Sequence, residues 1–107
     1  MKSALQPSAP IPPQDLDIEA VALGAMLIDG FCLIEVIGLI HSKELFYKIE
    51  HQDIFEAIAR LFNSGRNVDL LTVSNELRQL GKKVELSYVN EITFKVNSSA
   101  NVVQHIY

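Results

Sequence analysis

The chain has 107 residues, 49% of them hydrophobic and 21% charged. That is material for one globular core; it excludes disorder of the whole chain and a second independent core. Nine Lys and Arg against thirteen Asp and Glu leave a net charge of −4, a balance that argues against wrapping a nucleic-acid backbone, which needs clustered cations to release counterions.

All four prolines, Pro7, Pro10, Pro12 and Pro13, lie in the first thirteen residues. With Ser3, Gln6 and Ser8 they predict a flexible Pro-rich tail over 1–14, because proline lacks the amide donor and disfavours helix at the residue before it. The tail has no apolar run before Pro7 and so does not read as a secretory signal. The folded domain is expected to begin near Asp15 and to fill 15–107. Asp15 and Asp17 sit where a helix start favours negative charge. Leu16, Ala20, Leu23 and Leu27 then share one helical face, and Ile18, Val21, Ala25 and Ile28 share a second. Asp29-Gly30 breaks the helix. Phe31–Ile40 resumes with Glu35 as its only charge and with Leu33, Val36, Ile37 and Ile40 at helical spacing. Neither apolar run reaches the roughly 18 residues of a membrane span. Two helices with so little polar surface are either central to the core or shared with another subunit.

A short turn at Lys43–Phe46 precedes a third helix, expected from Ile49 to Ser64. Its buried stripe would be Ile54, Ile58, Leu61 and Phe62, with Phe55 at the margin and Gly65 as the stop. Asp69 caps a fourth helix whose face is Leu70, Val73, Leu77 and Leu80, ended by Gly81. Beyond Gly81 two periods compete. Tyr88, Val89 and Ile92 suit a helix after Ser87, while Val84, Leu86 and Tyr88, then Ile92, Phe94 and Val96, alternate as in a half-buried strand. Asn97-Ser98-Ser99 offers a cap for a last helix from Ala100, and the sequence reads there as cut rather than ended.

Charge divides unevenly between the halves. Residues 1–54 hold three Lys and eight acids, net −5, while 55–107 hold six Lys and Arg and five acids, net +1. The acidic half reads as a solvated surface or as a face for a basic protein.

The residues offer no catalytic constellation. The nearest approach to a nucleotide loop is Gly81-Lys82, but Glu76 stands where the first glycine would be and Lys83 where a Ser or Thr would hold magnesium. His41, His51 and His105 lack the spacing of a zinc site and read as ordinary surface or partly buried histidines. Cys32 is the only cysteine; it has no disulfide partner, fits a reducing compartment and reads as a small core residue. Glu50 with Asp53, or Asp15 with Asp17, are explained by solvation and capping.

Five blocks in order carry a family resemblance over about residues 12–107. They are Pro12–Glu19 followed by Leu23–Asp29; Leu45-Phe46-Tyr47; His51-Gln52-Asp53-Ile54-Phe55-Glu56-Ala57-Ile58; Val68-Asp69-Leu70-Leu71-Thr72-Val73 with Glu76-Leu77; and Ser99-Ala100-Asn101-Val102. Together they resemble the opening of the DnaB-type replicative DNA helicases. One block departs: where that family carries a Gly-Gly pair before Tyr-Leu, this chain has Leu86-Ser87-Tyr88-Val89 in a shortened connection.

The resemblance implies an all-α fold, a compact bundle of about six helices, with Tyr88–Thr93 helical. It implies the N-terminal collar domain of a longer protein, cut before the helical hairpin and the ATPase domain. In the family this domain joins subunits of a hexameric ring, largely as dimers arranged in a trimer, and recruits primase and the helicase loader. The parent would be an ATP-dependent 5′–3′ DNA helicase at the bacterial replication fork in the cytoplasm. ATP and Mg are then expected only in the ATPase domain. This fragment is expected to have no catalytic, cofactor or metal site, little direct DNA binding and no membrane role. Asp17, an acid at a helix start, and Tyr88, amphipathic beside the variable loop, are the expected partner-binding residues. Two other readings stand beside this one. A winged-helix DNA-binding regulator would use 49–64 and 69–80 as its helix-turn-helix and 84–97 as its wing; a helicase-like adaptor module of a primase would stand alone.

Overall fold

Pro13 opens the first helix, where its missing amide and fixed φ cost nothing. The computed structural model describes residues 13–40 and 42–106, and side chains within 16–40 and 42–96. The helix α1 spans Pro13–Ile28, so the expected tail ends two residues early and its residues 1–12 lie outside the described region. Asp29 breaks the chain as its sequence suggested and at once starts α2 (Gly30–Leu39), its carboxylate accepting from the amides of Phe31 at 3.0 Å and Cys32 at 3.4 Å. A 3₁₀ turn at Lys43–Leu45 leads to α3 (Ile49–Asn63), then α4 (Leu70–Gln79) and α5 (Leu86–Ile106).

The described residues thus form five α-helices rather than about six, and no strand. The expected break at Asn97-Ser98-Ser99 is absent, because α5 runs through it. Asn and Ser cost a helix at most about 0.7 kcal/mol each, a small penalty beside the packing that holds α5 on α1. The 84–97 hairpin of the winged-helix reading is likewise replaced by helix from Leu86 onward.

Helix α4 begins with a reciprocal cap. Asp69 accepts from the Thr72 amide and Thr72 Oγ1 accepts from the Asp69 amide, both at 2.9 Å, which satisfies two amides that a helix start leaves free. Both α3 and α4 end in a left-handed glycine, Gly65 at φ 72° and Gly81 at φ 74°. The following amides reach back, Arg66 to the Leu61 carbonyl and Lys82 to the Leu77 carbonyl, each at 2.9 Å.

The core gathers Leu23, Met26 and Leu27 of α1, Ile54, Phe55 and Ile58 of α3, Val73 and Leu77 of α4, and Val89 and Ile92 of α5. One expectation is reversed. Phe55 is buried and Phe62 only partly so, because Phe46, arriving from the 3₁₀ turn, sets its ring 5.3 Å from that of Phe55. Helices α1 and α5 approach most closely at Gly24. A Cβ there would stand 2.6 Å from the Ile92 carbonyl oxygen, so the Leu-Gly pair of the sequence is a packing requirement.

Candidate functional site

The two faces of α1 have different fates. Ala20, Leu23 and Leu27 are buried. On the second face Ile18 is 64% and Ile28 53% exposed. Helix α2 buries Leu33 and leans Val36 and Ile37 on the core, yet leaves Phe31 83%, Ile34 61% and Leu39 76% exposed. Between the two helices runs an open groove of about 440 Å³, lined by Asp17, Ile18, Val21, Ala22, Ala25, Cys32 and Val36. An apolar hollow with Ile18 exposed on its wall is the form of a protein-docking surface.

Cys32 belongs to this groove. It is half-buried rather than a core residue, the adjacent Leu33 being the α2 side chain that is buried. Burial, followed by the nearby carboxylates of Asp29 and Glu35, pushes its thiol above the ordinary value. Asp29 and Glu35 stand three residues to either side of Cys32, about one helical turn away in each direction.

Of the two expected contact residues, Asp17 stands at the groove wall. It is exposed and its carboxylate lies 3.2 Å from Lys95 Nζ of α5. Since α1 starts at Pro13, Asp17 is past the first turn and does not act as a cap. Tyr88 lies elsewhere, in a polar cluster that ties three helices. Its hydroxyl is 2.7 Å from His51 Nε2 and 3.0 Å from Lys48 Nζ. His51 Nδ1 is 2.8 Å from Glu19 of α1. Glu19 also accepts from the Tyr47 amide at 2.7 Å. A carboxylate only accepts, so His51 donates from Nδ1 to Glu19, while the Tyr88 hydroxyl bonds His51 Nε2 and accepts from Lys48. The Tyr88 hydroxyl holds the Lys48 ammonium above its ordinary pKa. Asp17 and Tyr88 are thus not joined to each other: each is held by different partners on different parts of the α1–α5 seam.

His51 is only 1% exposed, against the expectation of an ordinary surface or partly buried residue. Its partners are 32 and 37 residues away in sequence, beyond the reach of any local pattern. His41 and the side chain of His105 lie outside the described region. The sequence reading also missed Glu76, buried and held by Arg60 and Arg66, each at 3.1 Å. The available signal was its place four residues after Thr72, on the inner side of an amphipathic helix beside Leu77. No three His, Cys, Asp or Glu side chains among the described residues gather as metal ligands, and no helix among them is long and apolar enough to cross a membrane.

Several resembling blocks now have structural meanings. His51 pins α3 to α1 and α5, Gln52 donates to the Phe46 carbonyl at 2.8 Å, and Asp69 with Thr72 starts α4. Comparison with known proteins agrees with this reading. The replicative DNA helicase DnaB of Rhodothermus marinus is 42% identical over 103 residues, covering 94% of this chain and 11% of that protein. Its counterpart in Geobacillus stearothermophilus is 37% identical over 95 residues, covering 86% of this chain and 21% of that one. This chain therefore spans only a small part of these relatives' length. The crystal structure of the N-terminal domain of DnaB helicase from Mycobacterium tuberculosis superposes with a TM-score of 0.74 at 30% identity, over 80% of this chain and 61% of that one. With the model of the DnaB-like helicase N-terminal domain matching residues 11–107, the chain belongs to that family.

Proposed function

We propose that this chain is the non-catalytic N-terminal domain of a replicative DNA helicase, serving subunit assembly in the collar of a hexameric ring and recruitment of primase or loader. The observation that carries this reading is the uncovered apolar face of α1 and α2, in a domain whose family is that of helicase N-terminal regions. Unwinding 5′ to 3′ at the expense of ATP, with its Mg, belongs to an ATPase domain outside these residues, in the cytoplasm. Little DNA binding is assigned to this domain, given its net charge of −4.

Asp17 and Tyr88 are the proposed contact positions, one at the groove wall and one beside the α4–α5 connection. Capture of the cognate primase by the Asp17→Ala and Tyr88→Phe variants tests them, since neither substitution removes core volume. Reduced capture by both is expected; capture by both at the level of the unmodified chain rejects the assignment. A phosphate-loop motif in the coding sequence after Tyr107 is the expected companion of this domain. Its absence would favour an adaptor standing alone.

A further inference from the structure

We infer that the α1–α2 groove receives an amphipathic helix of a partner protein whose aliphatic stripe is flanked by Lys or Arg. This rests on the reading of the domain as a recruitment module and names the chemistry of what it recruits. Three observations carry it.

The first is shape. Ala22 and Ala25 form a low stretch of the groove beside Ile18, Val21 and Val36, so a helix can come close without displacing a large side chain. Helix α2 is 10 residues long, or about 15 Å, which suits contact with about three turns of a partner helix. The second is apolarity. Ile18, Val21, Ala22, Ala25 and Val36 make up most of the groove's lining, so the partner must bring an apolar stripe.

The third is charge, and it selects the occupant. Asp17 lines the groove, and Asp29 and Glu35 stand three residues, about one helical turn, to either side of Cys32, which also lines it. Only Lys95 opposes them, through Asp17. Asp29 and Glu35 have no cationic partner among the described residues. A second copy presenting the same face would bring the same acids into one interface and add like charge to it. A helix with basic flanks meets them with opposite charge.

Cys32 supplies the readout. Its thiol, lining the groove, is shielded when the groove fills, so its alkylation rate reports occupancy. The probe is a synthetic 18-residue helix with a leucine stripe and lysine flanks. One control keeps the stripe and carries glutamate flanks; another keeps the lysines and scatters the leucines. The 107-residue chain is titrated with each, following Cys32 alkylation and peptide anisotropy. The lysine-flanked peptide is expected to protect Cys32 and to bind at least about tenfold tighter than the glutamate-flanked one. The Asp29→Asn/Glu35→Gln double variant, which keeps a competent cap at 29, is expected to narrow that gap to about threefold or less.

Equal binding of the lysine and glutamate peptides overturns the proposal, as does equal binding of the scattered-leucine control. Protection of Cys32 that rises with chain concentration alone would give the groove to a second copy and likewise overturn it. Failure of the peptide series with primase capture intact removes this inference and leaves the recruitment role. Loss of primase capture by the unmodified chain, with peptide binding intact, does the reverse.

Discussion

The α3–α4 pair and the α1–α2 pair were built under opposite rules. Helices α3 and α4 each have one apolar and one charged face. They put Ile54, Ile58, Val73 and Leu77 inside, and their outer surface is laced by Lys43–Glu56 at 2.9 Å and by Lys82 at 3.6 Å from Asp53 and 3.5 Å from Glu56. Helices α1 and α2 are apolar nearly all round, yet only one side of each is covered. A helix that hides one of two apolar faces in its own domain carries the second for something else. Burial therefore follows hydrophobicity in one half of the molecule and diverges from it in the other.

Substitution of one residue in each half tests this contrast most strongly. Ile58→Ala in α3 is expected to lose about 2–5 kcal/mol of unfolding free energy, since a fully buried side chain leaves a cavity. Phe31→Ser in α2 removes a larger side chain but is expected to stay within about 0.5 kcal/mol of the parent. Urea titrations of the two variants measure the difference; equal losses would erase the contrast.

Where α1 does face inward, its tolerance is expected to be that of a core. Gly24→Val drives a branched side chain toward the Ile92 carbonyl and is expected to cost about 1–3 kcal/mol, read as a lowered thermal midpoint. Glu19→Ala strips the buried His51 of its acceptor and the Tyr47 amide of its partner. It is expected to cost about 1–3 kcal/mol, with Tyr88 losing its fixed ring environment in NMR spectra.

The smallest effect lies on the charged side of α3. The hydrogen bond from Lys43, then the charges of Lys43 and Lys82, hold the Glu56 carboxyl below the ordinary carboxylate range. Its contribution to stability is therefore present at neutral pH and lost as pH falls through the folded-state value. Glu56→Gln should unfold slightly more easily than the parent at pH 7, and the two should converge in acid. A gap that persisted below the carboxylate range would assign the effect to packing instead.

The same contrast explains what could be read in advance. Helices α3 and α4 were legible almost to the residue, because Asp69, Gly65 and Gly81 mark their ends and a polar face fixes their rotation. For α1 and α2 the helices were legible and the rotation was not: two apolar faces carry no sign of which turns inward, so Cys32 was assigned to the core. Phe55 and Phe62 exchanged roles because Phe46 comes from outside the helix. The five ordered blocks carried the family. The Glu19–His51–Tyr88 connection was invisible, since nothing near His51 in sequence names its partners.

That connection has a mechanical side. Lys48, at the start of α3, provides no side-chain cap of its own; the carboxylate of Glu19 instead pins the approach to α3, accepting from the Tyr47 amide at 2.7 Å and more weakly from the Lys48 amide at 3.5 Å, across 28 and 29 residues of chain. One helix therefore fixes the entry to another. A displacement of α1 would be passed to the root of α3 through a few short polar links.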